Sequence, residues 1–275
     1  MEINTRICFV SKNTPDLVKY LVSNGIPYEE NCILSVIEMS ESDPHWPVVR
    51  DIAKAYGLIF QSEIMYSKQE LRDAEWLHMR SKWKFGYPQP ENTFVTASTT
   101  YSGECSECGS CKTQVEPFRI KKAPKWGKRG FAELYWVNDE IFVSELAKEM
   151  LLKERITGIT FLNVLDKKGN AVLEDIYQLV VQNVLENGFF ASPLSVSEYQ
   201  ECSLCGTTKY VISGRSMLEY KKSIFENQPD IVKTGDVFGS GYSSNKMIMV
   251  RQSVYQAIVK NKMDRALSFE PILLR

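Results

Sequence analysis

Cys105-Ser106-Glu107-Cys108-Gly109 and Cys202-Ser203-Leu204-Cys205-Gly206 are two copies of C-x-x-C-G. Two residues between the thiols let a tight turn bring both sulfurs onto one metal ion. A glycine after the second cysteine lets the backbone take a positive φ and aim N–H groups at the thiolates. Two such knuckles supply four thiolates, the tetrahedral donor set zinc takes in structural sites. The spacing therefore predicts a structural Zn2+ held by Cys105, Cys108, Cys202 and Cys205. The knuckles lie 97 residues apart, so the site has to be assembled by packing distant parts of the chain. Cys111 continues the first knuckle as C-x-x-C-x-x-C and is an extra thiol, a substitute ligand or a redox partner.

Other thiol and metal chemistries fit less well. A catalytic zinc keeps an open position and usually takes His or carboxylate ligands, and the chain has 2 histidines, His45 and His78, both read as packing or surface residues. A dithiol oxidoreductase places its C-x-x-C at a helix N-terminus, and no amphipathic helix follows Cys108 or Cys205. An iron–sulfur protein would need further nearby thiols; Cys8 and Cys32 stand in apolar, strand-like runs and read as inert core thiols. No Ser/His/Asp set, paired-carboxylate motif or glycine-rich phosphate loop stands out, so the chain reads as non-enzymatic.

A second candidate is basic and aromatic. Arg119, Lys121, Lys122, Lys125, Trp126, Lys128 and Arg129, with Phe118 among them, form a strip in which cations could meet phosphates and rings could stack on bases. The alternative is a loop of solvated lysines anchored by Trp126. Trp76, Trp83, Phe85 and Tyr87 with Arg80, Lys82 and Lys84 form a similar run.

The elements that must position these groups fall into two parts. From Met1 to about Ser67 the pattern is strand, helix, strand, helix, strand, with a proline in the first turn of each helix and a glycine just past its end. A helix over Lys68–Met79 follows, with Ser67 and Glu70 at capping-box spacing. A strand over Phe94–Thr100 leads to the first knuckle. Beyond it, Tyr135–Val143 aligns with Tyr242–Val250 at an offset of 107 residues. The same offset sets Val143, Ala147, Met150 and Leu151 on Val250, Val254, Ala257 and Ile258, a helical apolar stripe in each copy. The expected fold class is α+β: an N-terminal α/β layer over residues 1–90, then a duplicated strand-helix-strand region over 91–275 joined by the knuckle pair. The repeat units are read as about 94–185 and 186–275.

Of the 275 residues, 33 are Lys or Arg and 34 Asp or Glu, for a net charge of −1, which excludes a globally basic nucleic-acid binder. No run is long and apolar enough to span a bilayer and no secretory signal is evident. Seven cysteines then suggest metal or redox chemistry rather than a disulfide framework, in a reducing, cytoplasmic setting.

On Cys105, Cys108, Gly109, Cys202, Cys205 and Gly206, the C-terminal two-thirds resembles the uncharacterised bacterial proteins named for a double C-x-x-C-G motif. That resemblance implies a zinc-binding, non-enzymatic bacterial protein. Thr234-Gly235-Asp236-Val237-Phe238, followed by strand, helix and strand, is more distantly similar to immunity-type proteins of bacterial toxin systems, which implies a toxin protein as partner. The function expected is a zinc-stabilised protein-binding module. The alternatives are a nucleic-acid-binding protein using residues 117–129 and a thiol redox protein.

Overall fold

The computed structural model describes residues 2–90, 99–169 and 171–275. The strand read over Phe94–Thr100 falls mostly outside the described residues. The fold is α+β and divides into two compact units, Met1–Glu70 with Ser213–Met217, and Leu71–Ile212 with Leu218–Arg275.

In the first unit the elements are β1 (Glu2–Phe9), α1 (Pro15–Ser23), β2 (Glu29–Glu30), β3 (Ser35–Ser40), α2 (Trp46–Ala55) and β4 (Phe60–Met65). The sheet order is β2-β3-β1-β4, with every neighbouring pair antiparallel. This is the split βαβ, ferredoxin-like arrangement. Prolines open both helices, and Gly25 and Gly57 follow them at φ +64° and +65°. Leu17, Leu21, Trp46, Val49 and Ala53 from the helices close over Ile7, Phe9 and Ile37 from the sheet. Residues 213–217 complete the unit: both Arg215 Nη atoms donate to the Glu41 carboxylate, at 2.7 and 2.6 Å, and Nη1 also to Ser62 Oγ at 2.9 Å. Cys32 is exposed, in the turn between β2 and β3, rather than an inert core thiol; only the residues from Ser35 onward extend against β1.

Helix α3 (Lys68–Asp73) carries the predicted capping box, Ser67 N–H on Glu70 Oε2 at 2.8 Å and Glu70 N–H on Ser67 Oγ at 3.2 Å. It stops there rather than at Met79. Trp76–Ser81 is instead a strand, β5, whose Trp76, Leu77 and Met79 are all buried. A central strand covered on both faces has no clean period of two, and a short apolar run of this kind cannot be told from helix by pattern.

The second unit continues with β6 (Tyr101–Ser102), β7 (Thr113–Gln114), β8 (Arg119–Ile120), β9 (Phe131–Leu134), β10 (Val137–Val143), α4 (Glu145–Lys153), β11 (Ile159–Asp166) and β12 (Val172–Val181). It then runs through β13 (Val196–Glu201), β14 (Thr208–Ile212), β15 (Leu218–Tyr220), β16 (Ile231–Lys233), β17 (Val237–Phe238), β18 (Ile248–Arg251), α5 (Gln252–Lys260) and β19 (Leu267–Leu274). Two five-stranded sheets dominate, ordered β8-β11-β12-β10-β9 and β15-β19-β5-β18-β16. In each, the first pair is parallel and every other pair antiparallel. In each, one helix joins the two strands that flank the centre.

Both helices end on a left-handed residue, Arg155 at φ +56° and Lys262 at +58°, followed by matching bonds from Ile156 N–H to Leu151 O and from Met263 N–H to Ile258 O, both 3.0 Å. The stripe residues Val143, Ala147, Met150, Leu151, Val250, Val254, Ala257 and Ile258 all enter one core. Each of the Val, Leu, Ile and Met side chains, removed from water, contributes about 1.5–3 kcal/mol.

Candidate metal centre

Each knuckle is the tip of a hairpin. The first lies between β6 and β7, the second between β13 and β14, where Glu201 faces Thr208. The backbone closes both tips alike. Cys105 N–H bonds to Ser110 O at 2.7 Å and Gly109 N–H to Cys105 O at 2.9 Å; Cys202 N–H bonds to Thr207 O at 3.0 Å and Gly206 N–H to Cys202 O at 2.8 Å. Gly109 and Gly206 both sit at φ +71°, the left-handed conformation the turn requires.

The two tips bring Cys105, Cys108, Cys202 and Cys205 together, with all four sulfurs within 4.8 Å of one another. Cys105 Sγ is 3.7 Å from Cys202 Sγ, and Cys108 Sγ is 3.5 Å from Cys205 Sγ. Sulfurs about 2.3 Å from a tetrahedral ion stand about 3.8 Å apart, whereas a disulfide requires about 2.05 Å. The group can therefore hold a metal ion. Cys105, Cys108 and Cys202 are buried and Cys205 half-buried.

The surroundings suit a cation bound by thiolates. The hydroxyl and backbone N–H of Thr207 hold the Cys205 thiol down at about 6. Cys108 is lowered by the hydroxyl and N–H of Ser110, against the burial that raises it. Cys202 rises to about 11: the N–H groups of Cys205 and Leu204 favour its thiolate, but burial and the adjacent thiols of Cys108 and Cys205 oppose it more strongly. In the bare group the neighbouring thiols favour the Cys205 thiolate and disfavour that of Cys202, so all four do not ionise together, a conflict a central divalent cation resolves. Glu107 links the tips, accepting from Ser203 Oγ at 3.2 Å and lying 4.0 Å from Cys202 Sγ.

Lys209, which the sequence reading did not single out, completes the surroundings. Its side chain is 1% exposed and its ammonium donates to the carbonyl oxygens of Cys108 at 3.1 Å, Ser243 at 3.2 Å and Gly241. A buried cation offsets the net negative charge a four-thiolate divalent centre carries. A lysine in a short strand carries no sequence signal for this role.

Cys111 stays outside the group. It is exposed, at φ +66°, with Sγ 3.9 Å from Thr207 Oγ1. In the basic strip, Phe118 is fully buried and Trp126 is 7% exposed, its indole N–H donating to Asp175 O at 2.7 Å. Neither ring offers a face for stacking. Lys121, Lys122, Lys125, Lys128 and Arg129 are exposed, the Arg129 guanidinium lying 4.6 Å over the Trp83 ring, and Arg119 pairs with Glu116 at 3.1 Å. His78 faces Glu270 at 3.5 Å, and His45 accepts or donates at 3.0 Å to the Tyr20 hydroxyl. No helix among the described residues is long and apolar enough to cross a membrane. No protein-family model matches the chain, and no curated protein matches it either.

Proposed function

We propose that this is a non-enzymatic, zinc-stabilised binding protein of the bacterial cytoplasm. In this reading a structural Zn2+ clamps two halves of the second unit and holds the second knuckle as a recognition tip for a protein partner. The observation that carries it is the four-sulfur group itself, donated equally by two hairpins with matching hydrogen bonds and backed by a buried lysine. A full shell of four thiolates leaves no position for substrate, which favours a structural over a catalytic ion. Leu204, inside the second C-x-x-C turn, is 60% exposed, and Tyr199 on the same hairpin is 71% exposed. Apolar groups set out on a metal-rigidified tip suit a protein surface better than phosphates. The burial of Phe118 and Trp126 weighs against the nucleic-acid reading.

The clamped halves are read as duplicated and interlocked. In the first, β5, knuckle, β8, β9, β10, α4 and β11 follow one another; in the second, β12, knuckle, β15, β16, β18, α5 and β19 do. Each half's first strand lies at the centre of the other half's sheet. Just beyond those strands, Lys84 bridges Glu133 and Val184 bridges Lys233, both parallel and both 100 residues apart in the two halves. In this reading the repeats begin near residues 76 and 172, whereas the sequence pattern suggests about 94 and 186. The likeness to double C-x-x-C-G proteins supports the zinc, and the fainter likeness to immunity proteins suggests a toxin protein as the partner.

The test is metal analysis of protein purified without a histidine tag, with free thiols counted before and after denaturation. One zinc per chain, four protected thiols, and loss of both metal and thermal stability in Cys105→Ser and Cys202→Ser are expected. A metal-free protein with rapidly alkylating knuckle thiols would overturn the reading in favour of thiol redox chemistry.

A further inference from the structure

A cleft of about 550 Å3 opens beside the knuckles, within the second unit. Cys111 comes to it from the first knuckle and Thr207 from the second, while Asn187, Tyr210, Asp236 and Lys246 come from the second half. That volume suits a small molecule rather than a single ion or a chain segment.

Most of the charges around the cleft are met by a partner. Lys233 bonds Glu140 at 2.6 Å, and Lys112 lies 3.0 Å from Asp139. One oxygen of Asp236 accepts the N–H groups of Gly188 at 2.9 Å and Phe189 at 3.0 Å. Lys246 is half-buried, yet among the described residues no carboxylate lies within ion-pair distance of its ammonium. Burial lowers its pKa and Lys233 lowers it further, against the charges of Asp139, Asp236 and Cys111, which raise it. A half-buried ammonium with no carboxylate in direct contact leaves room for a further anionic group to approach it. Around it stand the Tyr210 hydroxyl and the Asn187 amide, which can donate to the rest of an anionic molecule.

The two halves also diverge at this place. One hundred residues earlier, the position of Asn187 is Tyr87, whose ring packs against Trp136 with centroids 4.6 Å apart. The comparison rests on the duplication proposed above. A polar residue, Asn187, stands at the cleft where the other half packs an aromatic ring.

We propose that this cleft binds a small molecule bearing a carboxylate or phosphate, with Lys246 as its counter-ion and Cys111 beside it. The site is separate from the metal and from the partner-binding tip.

The zinc-loaded full chain is titrated with inorganic phosphate and with succinate at constant ionic strength, with binding followed by calorimetry and thermal shift. Alkylation of Cys111 and Cys32 by iodoacetamide is followed by mass spectrometry. Saturable binding of at least one anion is expected, at least tenfold weaker in Lys246→Met and unchanged in Lys153→Met. The bound anion should slow alkylation of Cys111 and not of Cys32, a readout needing no variant. Absence of saturable binding, equal binding by Lys246→Met, or equal slowing of both thiols would each overturn the site. Zinc content is measured on every sample, so failure of the clamp is distinguished from failure of the cleft.

Discussion

The Lys209 ammonium donates to the carbonyl oxygen of Cys108 at 3.1 Å, tying the strand that leaves the second knuckle to the backbone of the first. The two residues stand 101 positions apart, and the bond is fully buried. Lys209→Met keeps the length of the side chain but removes the donor from three carbonyl oxygens. Leaving buried acceptors unpaired costs about 1–3 kcal/mol. The expected outcome is a lower unfolding temperature and faster loss of metal to a chelator, measured by a colorimetric competition assay. Lys209→Arg should not restore the wild-type rate, because a planar guanidinium does not fit a site built for one compact ammonium.

The two knuckle glycines should differ in their tolerance of a methyl group. Both take φ +71°, so alanine at either incurs about 1 kcal/mol of left-handed strain. A Cβ on Gly206 would meet nothing within 4 Å, whereas one on Gly109 would lie 2.3 Å from the carbonyl oxygen of Tyr242. Gly206→Ala should lose only the strain. Gly109→Ala must also displace the Tyr242 backbone and should lose several times more stability and much of the bound metal. Denaturant melts with parallel metal analysis compare the two directly, and equal losses would contradict the close approach.

How much of this was legible in the sequence depended on how local each signal was. The knuckles were readable because C-x-x-C-G encodes its own turn, and the helices of the first unit because Pro15, Pro47, Gly25 and Gly57 punctuate them. Strand β5 was misread because Trp76, Leu77 and Met79 are buried on both faces of a sheet whose other strands lie more than 130 residues further along the chain. The contacts of Lys209 and the setting of Lys246 arise only from long-range packing, and nothing local marks them. The basic strip showed the opposite failing: its cations and rings were visible, but not that Phe118 and Trp126 turn inward.

Acid should weaken the second unit in a defined range. Against the burial that would raise it, His78 at 3.5 Å and Arg80 at 3.2 Å hold the Glu270 carboxyl down at about 2. Its ordinary value is 4.5, so the folded state binds the proton less readily than the unfolded chain. The stabilisation is fully present above about pH 4.5 and is lost as the pH falls from there towards 2. Glu270→Gln should lower stability at neutral pH and flatten its decline between pH 4.5 and the acid limit. Melts of both proteins across that range, on metal-matched samples, check the slope. An unchanged slope in the variant would assign the acid sensitivity to other groups.

The exchange of central strands makes a sharper prediction about the two halves. Strand β12 lies between β11 and β10 of the first half, and β5 between β19 and β18 of the second. Leu77 and Met79 of β5 are at most 1% exposed, and burying two such side chains contributes roughly 3–6 kcal/mol. Against a typical total of about 5–15 kcal/mol, a half deprived of its central strand should not fold. A protease site inserted between Lys168 and Gly169, in the exposed turn joining the halves, allows the chain to be cut after folding. The cut protein should elute as one species with its metal retained, because each fragment still supplies the middle of the other's sheet. Residues 171–275 expressed alone should give the circular dichroism of an unfolded chain, and adding residues 1–168 should restore structure. If that C-terminal fragment instead folds by itself and binds nothing from the first half, the strands are not interlocked and metal alone holds the halves together.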